Sequence, residues 1–221
     1  MKTEGRKIWI CGDSTAASYG PEQAPLMGWG QALAEMLPER EIRNEAMAGR
    51  STKTFLAEGR LDRLDGQVAP GDLMLIQFGH NDEGDKPERH TEPWTEFKPN
   101  LEVFLRFARE RGAWPVLLTP ICIRIWRDGV LQESHGEYLR AMRAAAEEGK
   151  VPLIDLYGES RRIVAAAGEE GSRALYIGER QDPSHPENRI VDDTHTRRAG
   201  AEAFAARVLT GLKTLGLLEE D

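Results

Sequence analysis

A chain of 221 residues, 40% of them hydrophobic and 30% charged, has the apolar content for a sizeable core and is not composed like a disordered tract. Lys and Arg number 29 against 37 Asp and Glu. The formal charge of −8, with no long basic run, argues against nucleic acid as a partner, because phosphate contacts need clustered cations. No segment approaches the ~20 apolar residues of a membrane span.

The N-terminal Met-Lys-Thr-Glu-Gly-Arg-Lys enters an apolar run too short for a secretory signal, so a cytoplasmic location is expected. Strand-like and helix-like segments then alternate to the end. Lys7–Cys11 reads as a buried strand, and Gly30–Leu37 as a helix stopping before Pro38. Glu41–Ala46 is a short second strand, and Leu73–Phe78 is the clearest buried one, entered through Pro70-Gly71-Asp72. Residues Asn81 to Thr95 are too charged and proline-rich to pack as an element. Pro99 to Arg111 follows as a helix with Leu101, Phe104, Leu105 and Ala108 on one face. Trp114–Thr119 and Pro152–Asp155 are further strands. Ser134–Glu148, Leu156–Ala167 and Arg197–Leu215 are helices, and Gly168–Arg189 is a second irregular stretch. Cys11 and Cys122 fall in apolar runs and are expected as buried free thiols. Near-continuous apolar strands alternating with helices imply a parallel sheet covered on both faces, with ligands beyond the carboxyl ends of its strands. Without a composition break or repeat, residues 1–221 read as one domain.

Four short blocks carry candidate chemistry: Gly12-Asp13-Ser14-Thr15, Asn44 to Ser51 with Gly49, Gly79-His80-Asn81-Asp82, and Asp192-Asp193-Thr194-His195. Each alone reads equally as a turn, a helix cap or a solvated polar pair. Together they fall in a telling order: three follow predicted strands and the fourth precedes the last helix. A serine hydroxyl attacks well only when a base removes its proton, which a histidine oriented by a carboxylate does near neutral pH. If Asp192 to His195 forms a turn or one helical turn, residues three apart share a side, which makes Asp192 the orienting carboxylate. Asp193 is then expected to cap the helix or pair with an arginine.

These blocks resemble those of the SGNH hydrolases. The resemblance runs from about Lys7 to the final helix and implies an α/β fold. That fold is a three-layer α/β/α sandwich around a central, mostly parallel five-stranded sheet, flavodoxin-like. It further implies a triad of Ser14, Asp192 and His195, and an oxyanion hole from the N–H groups of Ser14 and Gly49 with the side-chain amide of Asn81. Gly49 suits such a site because it allows close backbone approach and positive φ. No cofactor or metal is implied. His80 is expected to support the Asn81 loop and not to act as the base.

Thr15, Gly28-Trp29-Gly30 and Arg50-Ser51, with the third and fourth blocks, are most similar to rhamnogalacturonan acetylesterases. The resemblance implies a serine esterase that takes acetyl groups from pectic oligosaccharides, with an acetylated oligosaccharide as partner and the oligomeric state open. Trp94 and Trp126 are candidate sugar platforms. Arg50 is a candidate contact for a uronate carboxylate, as are Arg197 and Arg198 beside the fourth block. Trp29 and Trp114 are expected to be structural. Other readings are a lysophospholipase, thioesterase or arylesterase of the same superfamily, or a non-catalytic carbohydrate-binding protein. A metal-dependent phosphoesterase using His80, Asp82, His90, Asp182, His185, Asp192 and His195 is a further one.

Overall fold

The computed structural model describes residues 6–182, 185 and 187–219. In chain order the elements are β1 (Ile8–Gly12), α1 (Trp29–Met36), β2 (Ile42–Asn44), α2 (Thr52–Ala57), β3 (Leu73–Gln77), α3 (Lys98–Glu110) and β4 (Trp114–Leu118). There follow β5 (Trp126–Arg127), β6 (Val130–Leu131), α4 (Gly136–Gly149), β7 (Leu153–Ile154), α5 (Leu156–Gly171), β8 (Tyr176–Gln181), β9 (Arg189–Thr196) and α6 (Arg198–Thr214). Five strands form one sheet in the order β2-β1-β3-β4-β7. Every pairing in it is parallel.

Strand side chains alternate faces, and that alternation builds two cores. Ile8, Ile10, Leu73, Leu75, Val116 and Leu118 pack with Trp29, Leu33, Val164, Phe204, Val208 and Leu212 of α1, α5 and α6. Trp9, Cys11, Met74, Ile76 and Leu117 face the other way, against Phe55, Leu101, Phe104, Tyr138 and Met142 of α2, α3 and α4. Helices therefore cover both faces of the sheet, as expected for an α/β/α sandwich. The rings of Phe55, Phe78 and Phe104 meet at centroid separations of 5.3 to 5.5 Å in the second core. Cys11 and Cys122 are both buried and free.

The chain leaves β1, adds β2 on one side and then crosses back to add β3 on the other. This reversal is the topological switch point of an open α/β sheet, where a crevice forms beyond the carboxyl ends of the strands. The loops after β1, β2 and β3 all open there.

Three local expectations need correction. Residues Gly168–Arg189 are not irregular throughout: α5 runs to Gly171 across a kink at Gly168 (φ 72°, ψ 175°), and Tyr176–Gln181 is a strand. This β8 pairs antiparallel with β9. A two-stranded ribbon standing apart from the main sheet lacks a continuous apolar face, so its Glu179, Arg180 and Gln181 carry no strand signal. Asp192 to His195 lies within β9 and not in a helical turn. Finally, α2 and the β5–β6 hairpin went unpredicted. Ser51 caps α2 by accepting from the N–H of Thr54, and Asp128 and Gly129, both at positive φ, make the hairpin turn. Among the described residues no helix is long and apolar enough to cross a membrane.

Candidate active site

The loop that carries Ser14 is held from beneath. At Gly12 a Cβ would lie 2.8 Å from the Gln77 carbonyl oxygen, so only glycine fits the close approach of β1 to β3. The next residue, Asp13, is fully buried. Its carboxylate accepts from the N–H and hydroxyl of Thr15 at 2.9 and 2.7 Å and from Gln77 Nε2 at 3.1 Å. His80 Nδ1 lies 3.2 Å from the same carboxylate. Burial alone would disfavour a charged His80, but the adjacent Asp13 outweighs it and raises the imidazole pKa. The Tyr19 hydroxyl donates to the Ser14 carbonyl at 2.7 Å, and Trp29 Nε1 donates to Gln77 at 2.8 Å. A Cβ at Gly28 would sit 2.3 Å from the Ala17 carbonyl oxygen, which is why the start of α1 can press against this loop.

Ser14 and His195, 181 positions apart in sequence, meet with Oγ 2.8 Å from Nε2. On the far side of the ring, Nδ1 lies 2.9 Å from Asp192 Oδ2 and 3.0 Å from Oδ1. Oδ1 also accepts from the N–H groups of His195 (2.9 Å) and Thr194 (3.2 Å), and Arg180 Nε stands 2.7 Å from Oδ2. Burial pushes Asp192 upward, but the hydrogen bonds and charge of His195, with Arg180, hold its pKa at about 2. An ionised acceptor at Nδ1 keeps the proton on that nitrogen and leaves Nε2 as the acceptor facing Ser14. Asp193 turns away and takes the Arg124 guanidinium at 2.9 Å.

Gly49 and Asn81 come from the loops after β2 and β3. Gly49 has φ 78°, in the left-handed region. Asn81 Nδ2 donates to the Arg50 carbonyl at 3.0 Å. The N–H groups of Ser14 and Gly49 have no protein acceptor among the described residues. Asp82 next to Asn81 is buried and accepts from the Thr52 N–H (3.0 Å) and the Thr91 hydroxyl (3.0 Å), tying this loop to the start of α2. Burial, against these hydrogen bonds, pushes Asp82 up to about 7.

Ser14, Gly49, Asn81, Asp192 and His195 all line one cavity of about 670 Å³, a size suited to a small ligand. A hydroxyl, an imidazole and a carboxylate in line, with Gly49 and Asn81 lining the same cavity, form an arrangement that can carry out acyl transfer. Arg50, Trp94 and Trp126 are not among the lining residues. The Arg50 side chain turns to Glu58 at 3.1 Å, Trp94 donates to Glu137 at 3.1 Å, and Trp126 packs half-buried against the core. Arg197 donates to the Tyr176 and Ile177 carbonyls, and Arg198 pairs with Glu35 and Glu202. Trp29 is fully buried whereas Trp114 is half-exposed. The cations that do face the cavity are Lys86, Arg89 and Arg180, with Tyr19 beside them. Nothing in the local sequence marks these, since Lys86 and Arg89 lie in a loop dense with charge. Among the described residues no three His, Cys, Asp or Glu side chains are grouped so as to hold a metal ion.

Residues 10–203 match the GDSL-like Lipase/Acylhydrolase family. The chain is 38% identical over 219 residues to the rhamnogalacturonan acetylesterase RhgT of Bacillus subtilis, covering 97% of this chain and 93% of that one. The crystal structure of the protein YxiM of Bacillus subtilis superposes with a TM-score of 0.81 at 30% identity, over 97% of this chain. This chain spans 58% of that longer one. Axe2, an acetylxylan esterase from Geobacillus stearothermophilus, shares the fold with a TM-score of 0.67 at 18% identity over 94% of each chain. With its sequence blocks gathered at one crevice and the match spanning most of its length, the chain belongs to the GDSL-like lipase/acylhydrolase family.

Proposed function

We propose that this protein is a serine esterase that removes acetyl groups from carbohydrate hydroxyls through an acetyl-Ser14 intermediate, with rhamnogalacturonan-type oligosaccharides as substrates. One observation carries the catalytic part: the unbroken line Asp192–His195–Ser14, with contacts of 2.9 and 2.8 Å, opening into a cavity that Gly49 and Asn81 also line. The choice of acetyl ester and pectic sugar is supported by the likeness to RhgT.

In this reading His195 Nε2 takes the Ser14 proton as Oγ attacks the acetyl carbonyl carbon. The resulting oxyanion receives the Ser14 and Gly49 N–H groups and Asn81 Nδ2. His195 returns the proton to the departing sugar oxygen, and the alcohol leaves. A water molecule, deprotonated by His195, then attacks the acetyl-serine, and acetate departs with Ser14 regenerated. The proposal includes a cytoplasmic setting in which the substrate is an imported oligosaccharide, for which two buried free thiols are suited.

The test is acetate release from acetylated rhamnogalacturonan oligosaccharides, compared with acetylated xylan oligosaccharides and p-nitrophenyl acetate. Preference for the pectic substrate, lost in Ser14→Ala, is the expected result. Turnover that survives Ser14→Ala refutes the mechanism. A preference for the xylan oligosaccharides refutes the pectic assignment.

A further inference from the structure

The side chain of Asn81 presents a problem that its own chemistry does not solve. A carboxamide has nearly the same shape after a half-turn about its last bond, yet one end donates and the other accepts. An oxyanion needs the Nδ2 end, and the flipped amide would oppose it with an oxygen. Something must fix which end faces the cavity.

Two contacts do so. Nδ2 donates to the Arg50 carbonyl at 3.0 Å, and Oδ1 accepts from Arg89 Nη1 at 3.3 Å. A carbonyl only accepts and a guanidinium only donates, so the flipped amide would meet acceptor with acceptor and donor with donor. Nδ2 keeps one hydrogen for the Arg50 carbonyl and one for the cavity. The donor to Oδ1 is also charged, which makes its hold stronger than a neutral donor's.

The same guanidinium lies against Gly49. A Cβ built there would be 3.2 Å from Arg89 Nη1 and 3.3 Å from Cζ and Nη2. Arg89 therefore spans the two loops that supply Gly49 and Asn81, and it lines the cavity. Its nearest carboxylate, Glu88, is 3.9 Å from Nε, at the outer limit of an ion pair. Satisfying an acidic neighbour does not account for this position.

We propose that Arg89 is a positioning residue of the oxyanion site: it selects the productive face of the Asn81 amide and packs over Gly49. The inference rests on the esterase reading of Ser14 and deepens it.

Arg89→Ala and Arg89→Lys are compared with wild type on p-nitrophenyl acetate and on the acetylated oligosaccharide. Removing one oxyanion donor costs about 10²–10³-fold in turnover, and loosening one without deleting it is expected to lower kcat by roughly 10–10²-fold for Arg89→Ala. KM for the neutral ester stays within about twofold, because the interaction strengthens only with charge development. Arg89→Lys, which retains a charged donor without the fork, recovers part of the loss. In an Asn81→Ala background, Arg89→Ala costs clearly less than in wild type, since the part of its effect that runs through the Asn81 amide is already lost and only the packing over Gly49 remains.

Fully multiplicative losses, or an unchanged kcat with intact folding, overturn the assignment. So does a KM rise confined to uronate-bearing esters, which would make Arg89 a carboxylate contact. A wild-type protein without esterase activity refutes the esterase reading instead. The Asn81 side-chain amide signals in ¹⁵N spectra then still decide the point. They shift in Arg89→Ala if the contact orients the amide, and unmoved signals overturn the proposal.

Discussion

Exchanging Asp192 for asparagine keeps the size of the side chain and changes only what it accepts. Oδ1 already takes the backbone N–H groups of Thr194 and His195, so the amide oxygen of the variant stays there. The new NH₂ group then replaces Oδ2, which lies 2.9 Å from His195 Nδ1 and 2.7 Å from Arg180 Nε. Arginine has no acceptor to offer and Oδ1, 3.0 Å from Nδ1, is already taken by two backbone N–H groups, so the ring nitrogen is expected to become the acceptor for the new NH₂. That moves the ring proton to Nε2, facing Ser14 Oγ at 2.8 Å, where the imidazole can no longer accept the serine proton. The same exchange in a Ser-His-Asp triad lowers kcat by about 10⁴-fold, equivalent to about 5 kcal/mol of transition-state stabilisation. Steady-state hydrolysis of p-nitrophenyl acetate measures it, with Asp193→Asn alongside. Asp193 pairs with Arg124 and faces away from the ring, so its variant is expected to lose stability, by about 1–3 kcal/mol, with kcat within about tenfold of wild type. An Asp192→Asn enzyme within tenfold of wild type, or greater damage from Asp193→Asn, refutes the tautomer argument.

Asn81→Ala is expected to lower kcat by about 10²–10³-fold with little change in KM, and steady-state kinetics in which KM alone rises would contradict its role. Acid unfolding followed by circular dichroism tests the ionic state of Asp192. Its folded-state pKa of about 2 lies below the ordinary 3.8, so between these values the unfolded chain binds the proton and the folded one does not. Its contribution to stability is therefore complete above pH 3.8 and lost as pH falls through about 2. The stability gap between wild type and Asp192→Asn should shrink across that window, and a constant gap would contradict the assignment. Phe104→Ala, which empties the contact among the three phenylalanine rings, is expected to cost about 3–5 kcal/mol in denaturant unfolding. A loss below about 1 kcal/mol would mean that this core closes around the gap.

Much of this was legible in the chain itself. Strands β1, β3 and β4 are short apolar runs, as buried parallel strands demand, so Leu73–Gln77 stands out without any tertiary knowledge, whereas the edge strand β2 (Ile-Arg-Asn) is only partly buried. That Ser14, Gly49, Asn81 and His195 would share one cavity was legible because each sits in a block at the end of a strand or just before a helix. In an open α/β sheet those places face one crevice. Other features were set by the three-dimensional path. Strand β8 was hidden because a ribbon apart from the sheet needs no apolar stripe. Arg50, Trp94 and Trp126 were plausible neighbours of the site by position, yet Glu58, Glu137 and the core take them. Arg89 and Arg180 were indistinguishable from other surface cations, yet they reach Asn81 and Asp192. Periodicity tells which way a side chain points inside a helix or strand. In a loop no period exists, and only the folded backbone decides which charges meet Asn81 and the Asp192–His195–Ser14 line.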